Sequence, residues 1–231
     1  MIQKTIVVGP FQCNCRLLAC PKTGEAVLVD PGDDAGQILT TIEGLKTSSG
    51  APLQVKYLLH THGHLDHIGA TRSVREGLAG FSGKSLAQPP VIALHRGDEE
   101  LYQNLKMQGN LFGMKYDDPL AIDHYLEEGE VLQVGSLRFS MIHTPGHSPG
   151  SVCMRLHQDT AHHIPETLFS GDTLFQGSVG RTDLWGANQE QMFKNIHQRL
   201  LVLDDDTRVA PGHGSDTSIG IEKRKNPFLR K

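Results

Sequence analysis

The 231-residue chain has no apolar run longer than four residues, Val91-Ile92-Ala93-Leu94 being typical. A membrane-spanning helix needs about 20, so none is expected. Positive charge is not in excess either: 22 Lys and Arg against 26 Asp and Glu give a formal net charge of −4. That balance, and the lack of a basic stripe interleaved with aromatics, disfavours a nucleic-acid binder. The N-terminus, Met1-Ile2-Gln3-Lys4-Thr5, lacks the apolar stretch and cleavage site of a signal peptide and runs straight into a β-type segment. The expectation is a soluble cytoplasmic protein with neither membrane nor nucleic acid as partner. Cysteine is scarce, four in all. Cys13, Cys15 and Cys20 fall in one apparent strand pair and Cys153 in another strand, which makes no disulfide framework. The Cys13-x-Cys15 spacing has no second pair to complete a metal clip, so buried, reduced thiols are expected.

What the chain does have is histidine, 13 of them, in an ordinary globular background of 38% hydrophobic and 21% charged residues. The length suits a single domain over residues 1–231, and no linker-like composition divides it. Strands are expected at Thr5–Val8, Cys15–Cys20, Ala26–Val29, Val55–Leu59 and Val91–Leu94. A second group covers Glu130–Val134, Leu137–Ile142, Ser151–Leu156, Thr167–Ser170 and Thr207–Ala210. Helical spacing of apolar residues marks Ala35–Leu45, the Ile68-Thr71-Val74-Leu78 series, Gly97–Met107 and Asn188–Leu203. In the last of these Asn188 and Gln191 suit a capping box. Residues 79–90 read as a surface loop. Its Gly83-Lys84-Ser85 is no phosphate loop, because Leu78 stands where the first glycine is needed and no strand precedes it. Gly109 to Tyr125 reads as irregular, and the residues after Ala210 as a loop and a basic tail. Two β-rich halves with helices in each predict an α/β fold: a four-layer αβ/βα sandwich.

The densest chemistry lies in Thr61-His62-Gly63-His64-Leu65-Asp66-His67. On a helix His62 and His64 would point about 200° apart, whereas on an extended segment they share a side. The apolar strand before them puts the motif at a strand's C-terminal end, where open α/β sheets carry their sites. Three further segments match that placement: His143-Thr144-Pro145-Gly146-His147, Ser170-Gly171-Asp172 and Ala210-Pro211-Gly212-His213. Converging on one rim, they supply His62, His64, Asp66, His67, His147, Asp172 and His213. Seven donors exceed one tetrahedral ion and suit two ions sharing a bridge. Imidazole and carboxylate without thiolate tolerate Zn²⁺, Fe²⁺ or Mn²⁺. The other histidines, His60, His95, His124, His143, His157, His162, His163 and His197, are expected at the surface, in the core or beside the ligands.

This set, His62-x-His64-x-Asp66-His67 with His147, Asp172 and His213, resembles the signature of the metallo-β-lactamase superfamily. Within it the chain is similar to the glyoxalase II-like hydrolases, the hydroxyacylglutathione hydrolase type. The segments Gln12-x-Asn14-Cys15, Gly177-Ser178-Val179-Gly180-Arg181-Thr182-Asp183, Pro211-Gly212-His213-Gly214, Ile219-Gly220-x-Glu222 and Asn226-Pro227-Phe228 carry that likeness. The resemblance implies His62, His64 and His147 on a first metal, Asp66, His67 and His213 on a second, and Asp172 as the bridge. Zinc is the usual ion, with iron or manganese in relatives. Asp66 and Asp172 are thus expected to serve catalysis as well as metal binding.

Paired divalent ions bring a water toward ionisation at neutral pH and stabilise an oxyanion. A thiol of pKa near 8.5 departs as thiolate without an acid, so a small-molecule thioester is the economical substrate. The resemblance points to S-lactoylglutathione or a related acylglutathione. The longer glyoxalase II enzymes add a C-terminal helical domain that contacts glutathione, and 18 residues after His213 are too few for it. Arg181 and Asp183 are expected as a buried pair holding the loop near Asp172. Lys223, with Arg224, is read either as a contact for an anionic substrate or as part of a solvated tail. The competing reading is a persulfide dioxygenase with one iron on His62, His147 and Asp172; hydrolysis of another ester or thioester is a third.

Overall fold

The strands that carry the site are buried on both faces, and their sequences show why. In β2 (Cys13–Ala19), β3 (Glu25–Val29) and β4 (Gln54–Leu59), adjacent apolar residues such as Leu17 and Leu18, Val27 and Leu28, and Leu58 and Leu59 enter different cores. Successive strand side chains point to opposite faces, so a run of apolar residues requires cover on both. The structure, a computed structural model, describes residues 1–80, 88–160 and 164–230. Gly83-Lys84-Ser85, most of the loop expected at 79–90, His162 and His163 lie outside the described residues.

The first sheet runs β1-β2-β3-β4-β5-β6, with β1 (Ile2–Val8), β5 (Val91–His95) and β6 (His124–Leu126). Its β3, β4, β5 and β6 are parallel. The second runs β14-β13-β10-β9-β8-β7, built from β7 (Val131–Val134), β8 (Leu137–His143), β9 (Val152–Leu156), β10 (Thr167–Gly171), β13 (Arg208–Pro211) and β14 (Thr217–Ser218). A small ribbon, β11 (Leu174–Phe175) with β12 (Ser178–Val179), follows β10. Leu18, Val29 and Leu59 of one sheet meet Phe139, Met154 and Phe169 of the other in the central core. The outer face of the first sheet packs on α1 (Ala35–Gly44) and α3 (Thr71–Gly80), through Ile38, Ile42, Val74 and Leu78. The outer face of the second is covered by α6 (Gln189–Asn195) and α7 (Ile219–Lys225), through Met192 and Ile219. Helix, sheet, sheet, helix is the sandwich expected.

Strand directions bring the site together. Because β8 and β10 are each antiparallel to β9, and β13 is parallel to β10, the C-terminal ends of β8, β10 and β13 share one edge. The end of β4 joins that edge through Val152 N–H donating to Thr61 O at 2.8 Å, and β2 through Asn14 N–H donating to Gly212 O at 2.7 Å.

Some local expectations differ from the fold. The helix expected over Gly97–Met107 is broken at Asn104 (φ −91°, ψ 21°) into α4 (Glu99–Gln103) and α5 (Leu105–Leu111). Asn188 Oδ1 caps α6, accepting from Gln191 N–H at 2.9 Å, but the last turn, Ile196–Leu200, widens into a π-turn. The residues expected as a loop and tail form β14 and α7, held because Glu222 is buried and accepts from Thr217 Oγ1 (2.6 Å), Gly177 N–H (2.8 Å) and Asn226 Nδ2 (2.9 Å). All four cysteines are buried and free. Among the described residues no helix is long and apolar enough to cross a membrane.

Candidate metal centre

Beyond β4 the backbone bends at Thr61 and His62 and is extended again at His64, which sits at the N-cap of α2 (Leu65–Ile68) with φ −74° and ψ 149°. His60 turns into the core, between Ala93 O (3.0 Å) and Thr71 Oγ1 (2.8 Å), and two residues on His62 faces the rim. That bend and the extended residue at His64 bring the rings of His62 and His64 together. The first turn of α2 then swings Asp66 and His67 toward them. This turn lies so close to the β3–α1 loop that a Cβ on Gly32 would fall 1.6 Å from the Asp66 carbonyl oxygen.

The seven residues meet in two groups. The rings of His62, His64 and His147 stand nearly perpendicular to one another, centroids 4.7–4.8 Å apart, with His64 Nδ1 2.9 Å from His147 Nε2. Beside them His67 Nε2 is 3.3 Å from His213 Nε2, and Asp66 Oδ2 is 3.2 Å from His213 Nε2. Asp172 lies between: Oδ1 is 3.4 Å from His67 Nε2, while Oδ2 is 3.7 Å from His147 Nε2 and 3.6 Å from His213 Nε2. A Cβ on Gly212 would lie 2.4 Å from Asp172 Oδ1 and 2.7 Å from His67 Cε1, so only glycine leaves room there.

These residues fit divalent cations. His62 Nε2 and Asp172 Oδ1 are buried with no hydrogen-bond partner, a costly arrangement for polar atoms that a cation relieves. One donor atom from each of His62, His64 and His147 lies within 4.8 Å of the others, as it does for His62, His67 and Asp172. Burial, reinforced by neighbouring imidazoles, holds His62 well below its ordinary pKa, and burial and His147 bring His64 to about 3. Both therefore present neutral lone pairs. Burial opposes ionisation of Asp66, but His67 and His213 override it and keep that carboxyl below its usual range.

Around the donors is a layer that fixes them. Asp30, buried at the end of β3 with φ 53°, accepts from Thr61 N–H (2.8 Å) and Thr61 Oγ1 (2.7 Å) and stands 3.0 Å from His67 Nδ1. His147 Nδ1 donates to the Arg181 carbonyl at 2.9 Å. Such partners choose the tautomer and leave Nε2 free to hold a cation. Cys13 lies behind His67, with Sγ 3.7 Å from Nδ1, and burial pushes its thiol up to about 12. Asp98, wholly buried, accepts from Gly63 N–H (2.8 Å), Ser148 Oγ (2.6 Å) and Gly150 N–H (2.5 Å). Gln108 bonds Leu65 N–H and Gly63 O, both at 3.0 Å. Sequence reading missed Asp30, Asp98 and Gln108. The one signal was at Asp30, a carboxylate directly after the strand expected at Ala26–Val29.

Two expectations need correction. Arg181 and Asp183 do pair, at 2.7 and 2.8 Å, but their side chains are 62% and 69% exposed, so the pair is not buried. It is the Arg181 carbonyl, not the guanidinium, that reaches His147. Lys223 does not line the cleft: its Nζ is bound by Asp205 Oδ1 (2.7 Å) and Leu203 O (3.1 Å). The centre opens into a cleft of about 360 Å³ bounded by α5, the β1–β2 turn and the loop after Asp183.

An αβ/βα sandwich with clustered imidazoles and carboxylates on its rim defines a class of metal-dependent hydrolase. The family model of the metallo-beta-lactamase superfamily matches residues 8–213, and the chain belongs to that superfamily. It is 36% identical over 225 residues to hydroxyacylglutathione hydrolase GloC of Haemophilus influenzae, covering 97% of this chain and 96% of that protein. Among solved structures, BLEG-1 B3 metallo-beta-lactamase superposes with a TM-score of 0.83 at 36% identity, covering 100% of both chains. TTHA1623 in a di-iron-bound form does so with a TM-score of 0.79 at 35% identity, covering 98% of this chain and 100% of that one.

Proposed function

We propose that the protein is a binuclear metallohydrolase that cleaves thioesters. In this reading His62, His64 and His147 hold one divalent cation, Asp66, His67 and His213 a second, and Asp172 both. The observation that carries it is the position of Asp172 between the groups: its Oδ1 faces His67, and its Oδ2 stands between His147 at 3.7 Å and His213 at 3.6 Å. Zinc, iron and manganese all suit this donor set; the di-iron TTHA1623 is one precedent. When bound, the pair supplies an activated water and a Lewis acid for the carbonyl oxygen.

The chain's own residues orient and exclude. Asp30 and the Arg181 carbonyl fix the rings of His67 and His147, Asp98 joins the two turns that carry the histidines, and the cleft walls hold the substrate. Apart from the seven donors, Glu100 is the one acid lining the cleft among the described residues. A thiolate of conjugate pKa near 8.5 departs without a proton, whereas an amine needs one, which favours a thioester. The name of the Haemophilus relative makes acylglutathiones the first substrates to try. Elemental analysis of purified protein is expected to give about two ions per chain, with thioester cleavage and no oxygen consumption. One iron per chain, stoichiometric oxygen uptake with a persulfide and no thioesterase activity would replace this reading with a persulfide dioxygenase.

A further inference from the structure

Eleven large apolar side chains are exposed among the described residues, and six of them line the cleft in front of the metal centre: Phe11, Met107, Leu111, Phe112, Leu184 and Trp185. Three separate elements supply them. Met107 and Leu111, four apart on α5, share a helix face and are 58% and 76% exposed. Phe112 at the end of α5 meets Phe11 of the β1–β2 turn edge to face, centroids 5.1 Å apart at 81°. Leu184 and Trp185 come from the loop after Asp183. Surface side chains of this size seldom gather unless something covers them, and here they gather at the mouth of a reactive site.

Charge on the same walls points the same way. Among the described residues, the charged lining groups outside the metal centre are Glu100 and Arg181. The Arg181 guanidinium is already forked by Asp183. Glutathione carries two carboxylates, and among the described residues the walls offer them no cation without a partner. The volume, about 360 Å³, corresponds to about a dozen waters at ~30 Å³ each, room for an alkyl chain or an aryl ring beside the scissile group.

We propose that this cleft selects thioesters bearing a bulky apolar substituent, a medium-chain alkyl or arylalkyl group, over those whose substituents are charged. The inference rests on the thioesterase reading for its reaction but not for its binding step, which can be measured separately. Trp185, the only tryptophan of the chain, stands on the cleft wall and reports occupancy by its fluorescence.

The test uses uncleavable thioethers on the metal-loaded protein: S-hexyl- and S-methyl-N-acetylcysteamine, and S-methylglutathione, with Kd from Trp185 fluorescence and from calorimetry. Five added methylenes, fully buried, would tighten binding about a thousandfold; a cleft open on one side keeps roughly half of that free energy, or about 30-fold. The hexyl compound is expected to bind about 30-fold tighter than the methyl compound and to shift Trp185 emission to the blue. Met107→Asp combined with Leu111→Asp is expected to bring the ratio below about 3. Val202→Asp, at a residue 68% exposed outside the cleft, leaves it unchanged. A wild-type ratio below about 3, or tighter binding of S-methylglutathione than of the hexyl compound, overturns the proposal. Hydrolysis of hexanoyl-N-acetylcysteamine and of S-hexyl thioacetate then shows whether the acyl or the thiol side occupies the cleft. If the hexyl preference holds and no thioester is cleaved, the cleft assignment stands and the thioesterase reading falls. Cleavage without the preference has the opposite meaning.

Discussion

Asp98 has no place at the metal centre, yet the structure makes it the residue on which the histidine geometry depends. Its carboxylate is wholly buried and receives three donors from two different turns: Gly63 N–H, between His62 and His64, and Ser148 Oγ and Gly150 N–H, just after His147. Asp98→Asn keeps the volume but exchanges one acceptor oxygen for an NH₂ group. Whichever way the amide turns, at least one donor then faces another donor in a dry site. One unsatisfied buried donor costs about 1–3 kcal/mol, and weakening the remaining charge-assisted bonds adds about 1 kcal/mol. Relief of the buried charge, which burial disfavours strongly enough to raise the Asp98 pKa, offsets part of this. The net expectation is a loss of about 1–3 kcal/mol, read by urea denaturation. Because the two turns come loose from each other, zinc affinity, measured by chelator competition, is expected to fall about 10–100-fold. A variant within about 0.5 kcal/mol of wild type, with unchanged metal affinity, would refute the idea that this carboxylate aligns the histidines.

Gly212→Ala puts a Cβ 2.4 Å from Asp172 Oδ1 and 2.7 Å from His67 Cε1, so elemental analysis should find about one ion per chain and turnover should drop by about 100-fold or more. Gly36→Ala in α1, with nothing within 4 Å of the new Cβ, should instead stabilise by about 0.5–1 kcal/mol in denaturation. Removing metal with a chelator leaves His62 Nε2 and Asp172 Oδ1 unpartnered. For ions present at a hundred times Kd the melting temperature should fall by roughly 5–10 °C for each ion lost and recover on adding zinc; a melting point indifferent to chelator would contradict a bound pair. His95 stacks on His143 at 3.8 Å, and burial together with that neighbour brings its pKa down from 6.5 to about 4. The unfolded chain therefore takes the proton first, and this contribution to stability, complete above pH 6.5, is lost as pH falls toward about 4. His95 is half exposed, so the slope stays well under about 1.4 kcal/mol per pH unit; His95→Gln should flatten the melting curve's pH dependence between those limits.

Local pattern made much of this molecule legible before any fold was known. Apolar runs ending in histidine or aspartate beside glycine marked four strand ends, because strand burial and turn chemistry are written within a few residues. The close spacing of His62 and His64 in a non-helical turn, followed by a helical turn, is likewise a short-range property. The chain itself thus determined the layer architecture and the seven donors that the structure brings together. Longer-range packing decided the rest. Whether Arg181 and Asp183 are buried, whether Lys223 looks into the cleft or pairs with Asp205, and which carboxylate joins the His62 and His147 turns are questions about partners up to fifty residues away or more. No periodicity encodes such pairings. Asp98 sits in what reads as a plain helix start, and Met107 and Leu111 read as ordinary apolar positions of a helix. Only the break at Asn104 and the approach of Phe11 and Trp185 turn that apolar face toward the metal centre, since the direction of a helix face is settled by what it packs against and not by its own spacing.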